Sequence, residues 1–216
     1  MRRGTLFLVA VLAAVIFFWM RAPLSSARKE QASDRSIIER TPVCPWREPP
    51  RDLLALFPPA TNYAAETRIL SGMMVPIRKR LGRGMTVDEN PLRVFRVTHD
   101  GRLLGSVLVC RVKGEHGGIE LVIGVDPQST VRGLIIQSHR EPEAVAQIIT
   151  NSSFLAAFAG KNSSSPLRPG EDLPDVPPQA RASAQAVADG VRSQLIVLSF
   201  AELPLDASPI STHTNH

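Results

Sequence analysis

Aromatic side chains are scarce in this chain of 216 residues: one tyrosine, two tryptophans and eight phenylalanines amount to 5%. Nucleic-acid surfaces interleave aromatics with a basic stripe. Here lysine and arginine are spread along the chain, so a net charge of +5 and a pI near 9.9 do not make it a nucleic-acid binder. Two cysteines are too few for a disulfide framework. Cys44 lies in the proline-rich TPVCPWREPP and Cys110 in an apolar, strand-like run, and both read as unpaired thiols, a bridge between them being the alternative in an exported chain. The five histidines, at 99, 116, 139, 213 and 216, lack metal-site spacing, so no metal site is expected. Also missing are a G-x-G-x-x-G opening a helix, a G-x-x-x-x-G-K-[ST] phosphate loop, H-E-x-x-H and G-x-S-x-G; Gly82 and Gly84 in LGRGM fail the first of these. No residue is assigned a catalytic role.

Long apolar runs are missing too, with one exception. Arg2 and Arg3 precede an uncharged stretch from Thr5 to Met20, closed by Arg21. It falls somewhat short of the roughly 20 apolar residues of a spanning helix, and snorkelling arginines can make up the difference. A cleaved signal peptide competes, since Ser25-Ser26-Ala27 offers small residues for cleavage. The interfacial Trp19 and the length of the run favour a retained anchor. The expected organisation is an anchor or uncleaved signal over 1–27, a proline-rich flexible tether over 28–51, a folded domain over 52–203 and a disordered polar tail over 204–216. Single-pass placement in the cell membrane with the C-terminal domain exported follows from that reading.

Within the domain, Leu53, Leu54, Leu56 and Phe57 form an apolar cluster ended by Pro58-Pro59, and a helix is expected from about Asn62 to Ser71. Ile77 to Arg83, IRKRLGR, is the strongest basic cluster and reads as a solvated face or loop, with contact to anionic lipid the alternative. Leu92–Thr98 and Leu103–Val112 are strand candidates around His99-Asp100-Gly101-Arg102, a two-residue hairpin signal. Ile119, Leu121, Ile123 and Val125 alternate with Glu120, Val122 and Gly124, the period of a strand with one buried face. The turn formers Asp126-Pro127-Gln128-Ser129 then lead to a strand over Val131–Ser138. After Pro142, Ala144, Val145, Ile148 and Ile149 recur at helical spacing, with Phe154, Leu155 and Phe158 in a second short helix. The stretch from Gly160 to Pro178 is loop, and Gln179–Val197 is the last helix. About four antiparallel strands grouped before most of the helices give an α+β fold: a small twisted antiparallel sheet with packed helices, preceded by one N-terminal transmembrane helix.

GEHGGIELVIGVDPQSTVRGLIIQSHREP, with LFPPA at the start of the folded unit, resembles the FMN-binding domain found in the G and C subunits of the Rnf and Nqr electron-transport complexes. The resemblance runs from about Leu53 to Ser199. It implies an exported, membrane-anchored electron carrier that holds FMN and partners membrane electron-transport subunits. In that family a threonine in a motif close to S-G-A-T-x-T-S carries the flavin through its phosphate, and the matching stretch here is DVPPQARASAQAV. Ala180 keeps the motif's alanine, Pro178 and Gln179 stand in place of serine and glycine, Arg181 replaces the first threonine, and Ser183 occupies the position of the flavin-bearing one. Ser183 implies an ester and Arg181 a non-covalent phosphate partner. The family's H-x-E-T-P-G appears as His139-Arg140-Glu141-Pro142, leaving His139 and Glu141 as site-lining candidates. The departures keep open a flavin-free structural or sensory protein on the same fold.

Overall fold

Five strands run up and down in chain order, each antiparallel to the next. The computed structural model describes residues 50–203; the anchor, the tether as far as residue 49, Cys44 and the polar tail lie outside the described residues, and the last two residues of the expected tether begin a helix. Among those described, no helix is long and apolar enough to cross a membrane. The elements are α1 (Pro50–Leu56), β1 (Asn62–Arg68), α2 (Met74–Leu81), β2 (Leu92–His99), β3 (Arg102–Lys113), β4 (Gly118–Val125), β5 (Val131–His139), α3 (Glu143–Ile149), α4 (Ser152–Ala156) and α5 (Arg181–Ala201). The sheet order is β1-β2-β3-β4-β5. The fold is therefore α+β, with one strand more than the sequence pattern gives.

That extra strand replaces the helix expected from Asn62. The stretch NYAAETR contains good helix formers but offers no apolar stripe at helical spacing to bury. As an edge strand it satisfies its backbone along seven residue pairs with β2, from Asn62↔Thr98 to Arg68↔Leu92. Tyr63 tilts against Phe95 at 6.2 Å between ring centroids. The hairpin between β2 and β3 forms as expected, with Asp100 and Gly101 at φ 48° and 79°, values that suit a primed two-residue turn.

The expectation of one buried face on β4 is also corrected, because both faces are covered. Ile119, Leu121, Ile123 and Val125 join the larger core, which contains Val187, Val191 and Leu195 of α5, Ile77 of α2 and Phe154 of α4. Val122, from the other face, joins Val107, Val109, Phe95 and Val97 beneath Leu53, Leu56 and Phe57. Helix α1 thus converts the sheet's second face into a smaller core. Gly124 and Gly133 are paired across β4 and β5, and a Cβ at either would press on Leu56. Arg132 locks α1 in place, donating its Nε–H to the Leu56 carbonyl at 2.9 Å with its guanidinium 5.1 Å from the Phe57 ring centroid.

The basic IRKRLGR run presents a solvated face on a helix and continues into the turn that follows it. Its first part is the end of α2, with Ile77 fully buried and Arg78, Lys79 and Arg80 exposed in the last turn, where cations suit the helix dipole. Gly82 closes that helix at φ 74°, its N–H donating to the Arg78 carbonyl. Helices α3 and α4 follow the sheet as the periodicity predicts, and Asn151 caps α4 by accepting from the Ser153 N–H.

Candidate functional site

The two residues that the sequence resemblance singles out for holding a flavin, Arg181 and Ser183, have opposite surroundings, although they stand in the same turn of α5. Residues Pro178–Ala180 form a 3₁₀ turn that feeds directly into the 21-residue α5. Arg181 is exposed there and has no hydrogen bond or ion pair with any described residue. Ser183, on the inner side of the same turn, is fully buried, as is Ala180. Its Oγ accepts the Glu115 N–H at 3.1 Å and its hydroxyl hydrogen-bonds the Glu141 carboxylate.

Glu141 is the centre of this arrangement. It follows β5 and enters the interior with its side chain 0% exposed. Its Oε1 accepts the N–H groups of His116 at 3.1 Å and Gly117 at 3.2 Å, and its Oε2 lies 3.1 Å from His116 Nδ1. Burial works to raise this carboxyl's pKa, but the hydrogen bonds from His116, Ser183 and Gly117 outweigh it and hold the pKa below the ordinary 4.5. At neutral pH the group is a buried anion. The turn that supplies its donors joins β3 to β4, closed by the Gly114 N–H donating to the Gly117 carbonyl at 2.8 Å. Gly114 is required by close approach, since a Cβ there would collide with Glu141 Oε1 and Ile119.

Of the sequence-predicted site residues, the fold brings Ser183 and Glu141 together, with Ala180 packed behind them in the core. It does not bring in Arg181, which points away, or His139, which pairs with Ile119 at the end of β5. His139 is partly buried, and its Nδ1 is enclosed without a partner. Glu115, His116 and the two glycines are partners that sequence reasoning missed. Their signal was GEHGG, where small residues bracket a Glu-His pair between two strong strands.

A flavin ester at Ser183 does not fit these residues. Esterification would take the hydroxyl away from Glu141, and the phosphate would place negative charge against a buried carboxylate already ionised. A fully enclosed Oγ also leaves no room for the phosphate without opening the β3–β4 turn.

A cleft of about 300 Å³ lies further along α5, between it and the end of β3, with Arg83, Glu89, Cys110, Lys113, Asp189 and Gln194 in its walls. Arg83 and Glu89 form a two-armed ion pair at 2.6 and 2.9 Å, Thr86 donates its N–H to Glu89, and Arg83 donates onward to Ser193 Oγ at 2.8 Å. Burial pushes the Cys110 thiol far up, with the charges of Asp88 and Glu89 adding to the effect, so it is an inert core group. None of the predicted site residues lines this cleft. No group of three or more His, Cys, Asp and Glu suited to a metal ion occurs among the described residues.

No protein-family model matches the chain. No curated protein matches it either. Among solved structures it is similar to the crystal structure of Shewanella oneidensis NqrC, at 17% identity and a TM-score of 0.48, over 69% of this chain and 87% of that one. A likeness of that size assigns neither family nor chemistry.

Proposed function

We propose that the chain is an exported, membrane-tethered subunit of an Rnf- or Nqr-type electron-transport assembly whose domain carries no flavin ester and acts as a structural or sensory partner. The assembly comes from the sequence resemblance and from the apolar N-terminal run. The carrying observation for the loss of the ester is the burial of Ser183, whose hydroxyl is committed to Glu141 and Glu115. At that position the hydroxyl joins the helix to the β3–β4 turn, and a residue that closes the core is not an attachment point.

The test is the visible spectrum of the full chain expressed together with a flavin transferase, recorded before and after denaturing gel separation. The expected result is protein without flavin colour, with added FMN as well as without it. Colour that survives denaturation would overturn the proposal in favour of a carrier with FMN esterified at Ser183. One observation favours a second reading, an electron carrier with non-covalent FMN: Arg181 presents an uncommitted guanidinium at the start of a long helix, where an anion is favoured. In that case colour would be present natively, lost on denaturation, and absent from Arg181→Ala.

A further inference from the structure

Three arginines from three separate segments converge on one polar cleft of about 490 Å³: Arg80 from the last turn of α2, Arg168 from the loop after α4 and Arg192 from the middle of α5. Guanidinium groups repel one another, so such a convergence costs free energy unless acids neutralise it. Neutralisation here is incomplete. Glu171 reaches only Arg168, at 3.4 Å, with both side chains more than half exposed. Asp189 lies one helical turn before Arg192 yet makes no ion pair with it, and its Oδ1 accepts the Gln185 amide at 3.0 Å. Arg192 is partly buried and has no hydrogen bond or ion pair with any described residue. Arg80 donates only to the Ser163 carbonyl, at 3.5 Å.

The serine run that also lines this cleft is held in place by its own local hydrogen bonds. Asn162 fixes the serine run, with its Oδ1 accepting the Ser164 N–H at 2.9 Å, its N–H donating to Ser165 Oγ at 3.0 Å and its carbonyl accepting the Ser165 N–H at 3.0 Å. The hydroxyls of Ser163 and Ser164 have no hydrogen-bond partner among the described residues. Exposed Arg78 and Lys79 stand beside Arg80 on α2 without partners among the described residues and add to the positive potential at the rim.

We infer that Arg80, Arg168 and Arg192, with the hydroxyls of Ser163 and Ser164, form a binding site for an oxyanion of the phosphate class. Planar guanidinium groups match the oxygens of such an anion two at a time, and fixed hydroxyls complete its shell. The cleft is larger than a single phosphate needs, which leaves room for the group esterified to it. A free phosphate compound and a phospholipid headgroup present the same chemistry. The site is independent of the flavin question, because it shares no residue with the Glu141 network.

The experiment uses the full chain in phosphatidylcholine nanodiscs and follows the phosphorus NMR linewidth of added inorganic phosphate, with chloride holding ionic strength constant. The wild-type chain should broaden the phosphate signal, and Arg80→Gln and Arg192→Gln should each weaken binding by about tenfold while keeping the wild-type thermal unfolding midpoint. Arg181→Gln should leave binding unchanged. Repeating the titration with phosphatidylglycerol in the discs separates the two sources: displacement of phosphate identifies a headgroup site, and no displacement identifies a site for free phosphate compounds. Absence of broadening, broadening that persists in the Arg80→Gln/Arg192→Gln double variant, or loss of binding in Arg181→Gln would each overturn the inference.

Discussion

Two serines on the buried side of α5, Ser183 in its first turn and Ser193 nearer its middle, belong to arrangements built alike from different materials. Each side chain connects the helix to a buried glutamate on another segment: Glu141, 6% exposed, beneath the β3–β4 turn, and Glu89, 2% exposed, in the loop before β2. Glu141 is satisfied mainly by neutral donors, the N–H groups of His116 and Gly117 and the Ser183 hydroxyl, with His116 Nδ1 beside it. Glu89 is satisfied by a guanidinium fork and the Thr86 N–H, and the guanidinium passes the connection on to Ser193. The family resemblance singles out Ser183 and ignores Ser193. Their parallel placement shows two hydroxyls that each hold a loop to a helix, and the difference in charge decides how much each arrangement contributes.

The largest effect should come from the charged pair. Glu89→Gln leaves Arg83 without its counter-charge, and because the Arg83 side chain is 43% exposed, water offsets part of the loss. A destabilisation of about 2–3 kcal/mol is expected in urea unfolding, below the usual range for breaking a fully buried pair. Glu141→Gln keeps an oxygen for the turn N–H groups and strands no guanidinium, so about 1–2 kcal/mol is expected. Equal or reversed costs would dissolve the distinction between the two networks.

Acid should attack both networks from the same side. Burial works to raise each carboxyl and is the largest single influence, but at Glu89 the hydrogen bonds from Arg83 and Thr86 and the Arg83 charge together outweigh it, as the hydrogen bonds from His116, Ser183 and Gly117 together do at Glu141, so both pKa values lie below the ordinary 4.5. A depressed carboxyl contributes stability that is fully present above its unfolded value and is lost as pH falls through the folded one. The unfolding free energy should therefore be level with respect to these groups near neutrality and decline below about pH 4.5. Each glutamine variant should remove part of that decline, and a decline unchanged in both variants would assign it to other carboxylates.

Legibility from sequence follows how local each signal is. The β2–β3 and β4–β5 hairpins are written in adjacent residues, turn formers between apolar runs, and the last helix in its own periodicity. β1 is not legible in this way because NYAAETR has no pattern of its own: what makes it a strand is the edge of β2, which pairs with it from Asn62↔Thr98 to Arg68↔Leu92 across the intervening α2. The second buried face of β4 was illegible for the same reason, since only α1 and its Leu56 turn Val122 into a core residue. At the site, motif position picks out Ser183 and Glu141, but neither their bond to one another nor the GEHGG turn that encloses them is written in a local pattern. Motif alignment compares residue types at positions, whereas the side of a helix on which a hydroxyl lies depends on what packs there.

The serines themselves give the smallest and sharpest contrast. Ser183→Ala removes the acceptor of the Glu115 N–H and one donor to an ionised carboxylate, from a side chain that is itself fully buried, so about 1–2 kcal/mol is expected. Ser193→Ala removes one acceptor from Arg83, whose exposed nitrogens can bond water instead, and should cost about 0.5 kcal/mol or less. Paired unfolding curves at neutral pH measure both. If Ser183→Ala were as mild as Ser193→Ala, the hydroxyl would not be holding the β3–β4 turn, and no structural commitment would set it apart from a hydroxyl free to carry a flavin ester. A larger loss for Ser183→Ala, accompanied by faster hydrogen exchange at the Glu115, His116 and Gly117 amides, would tie the cost to that turn, because only those donors depend on the Ser183 and Glu141 pair.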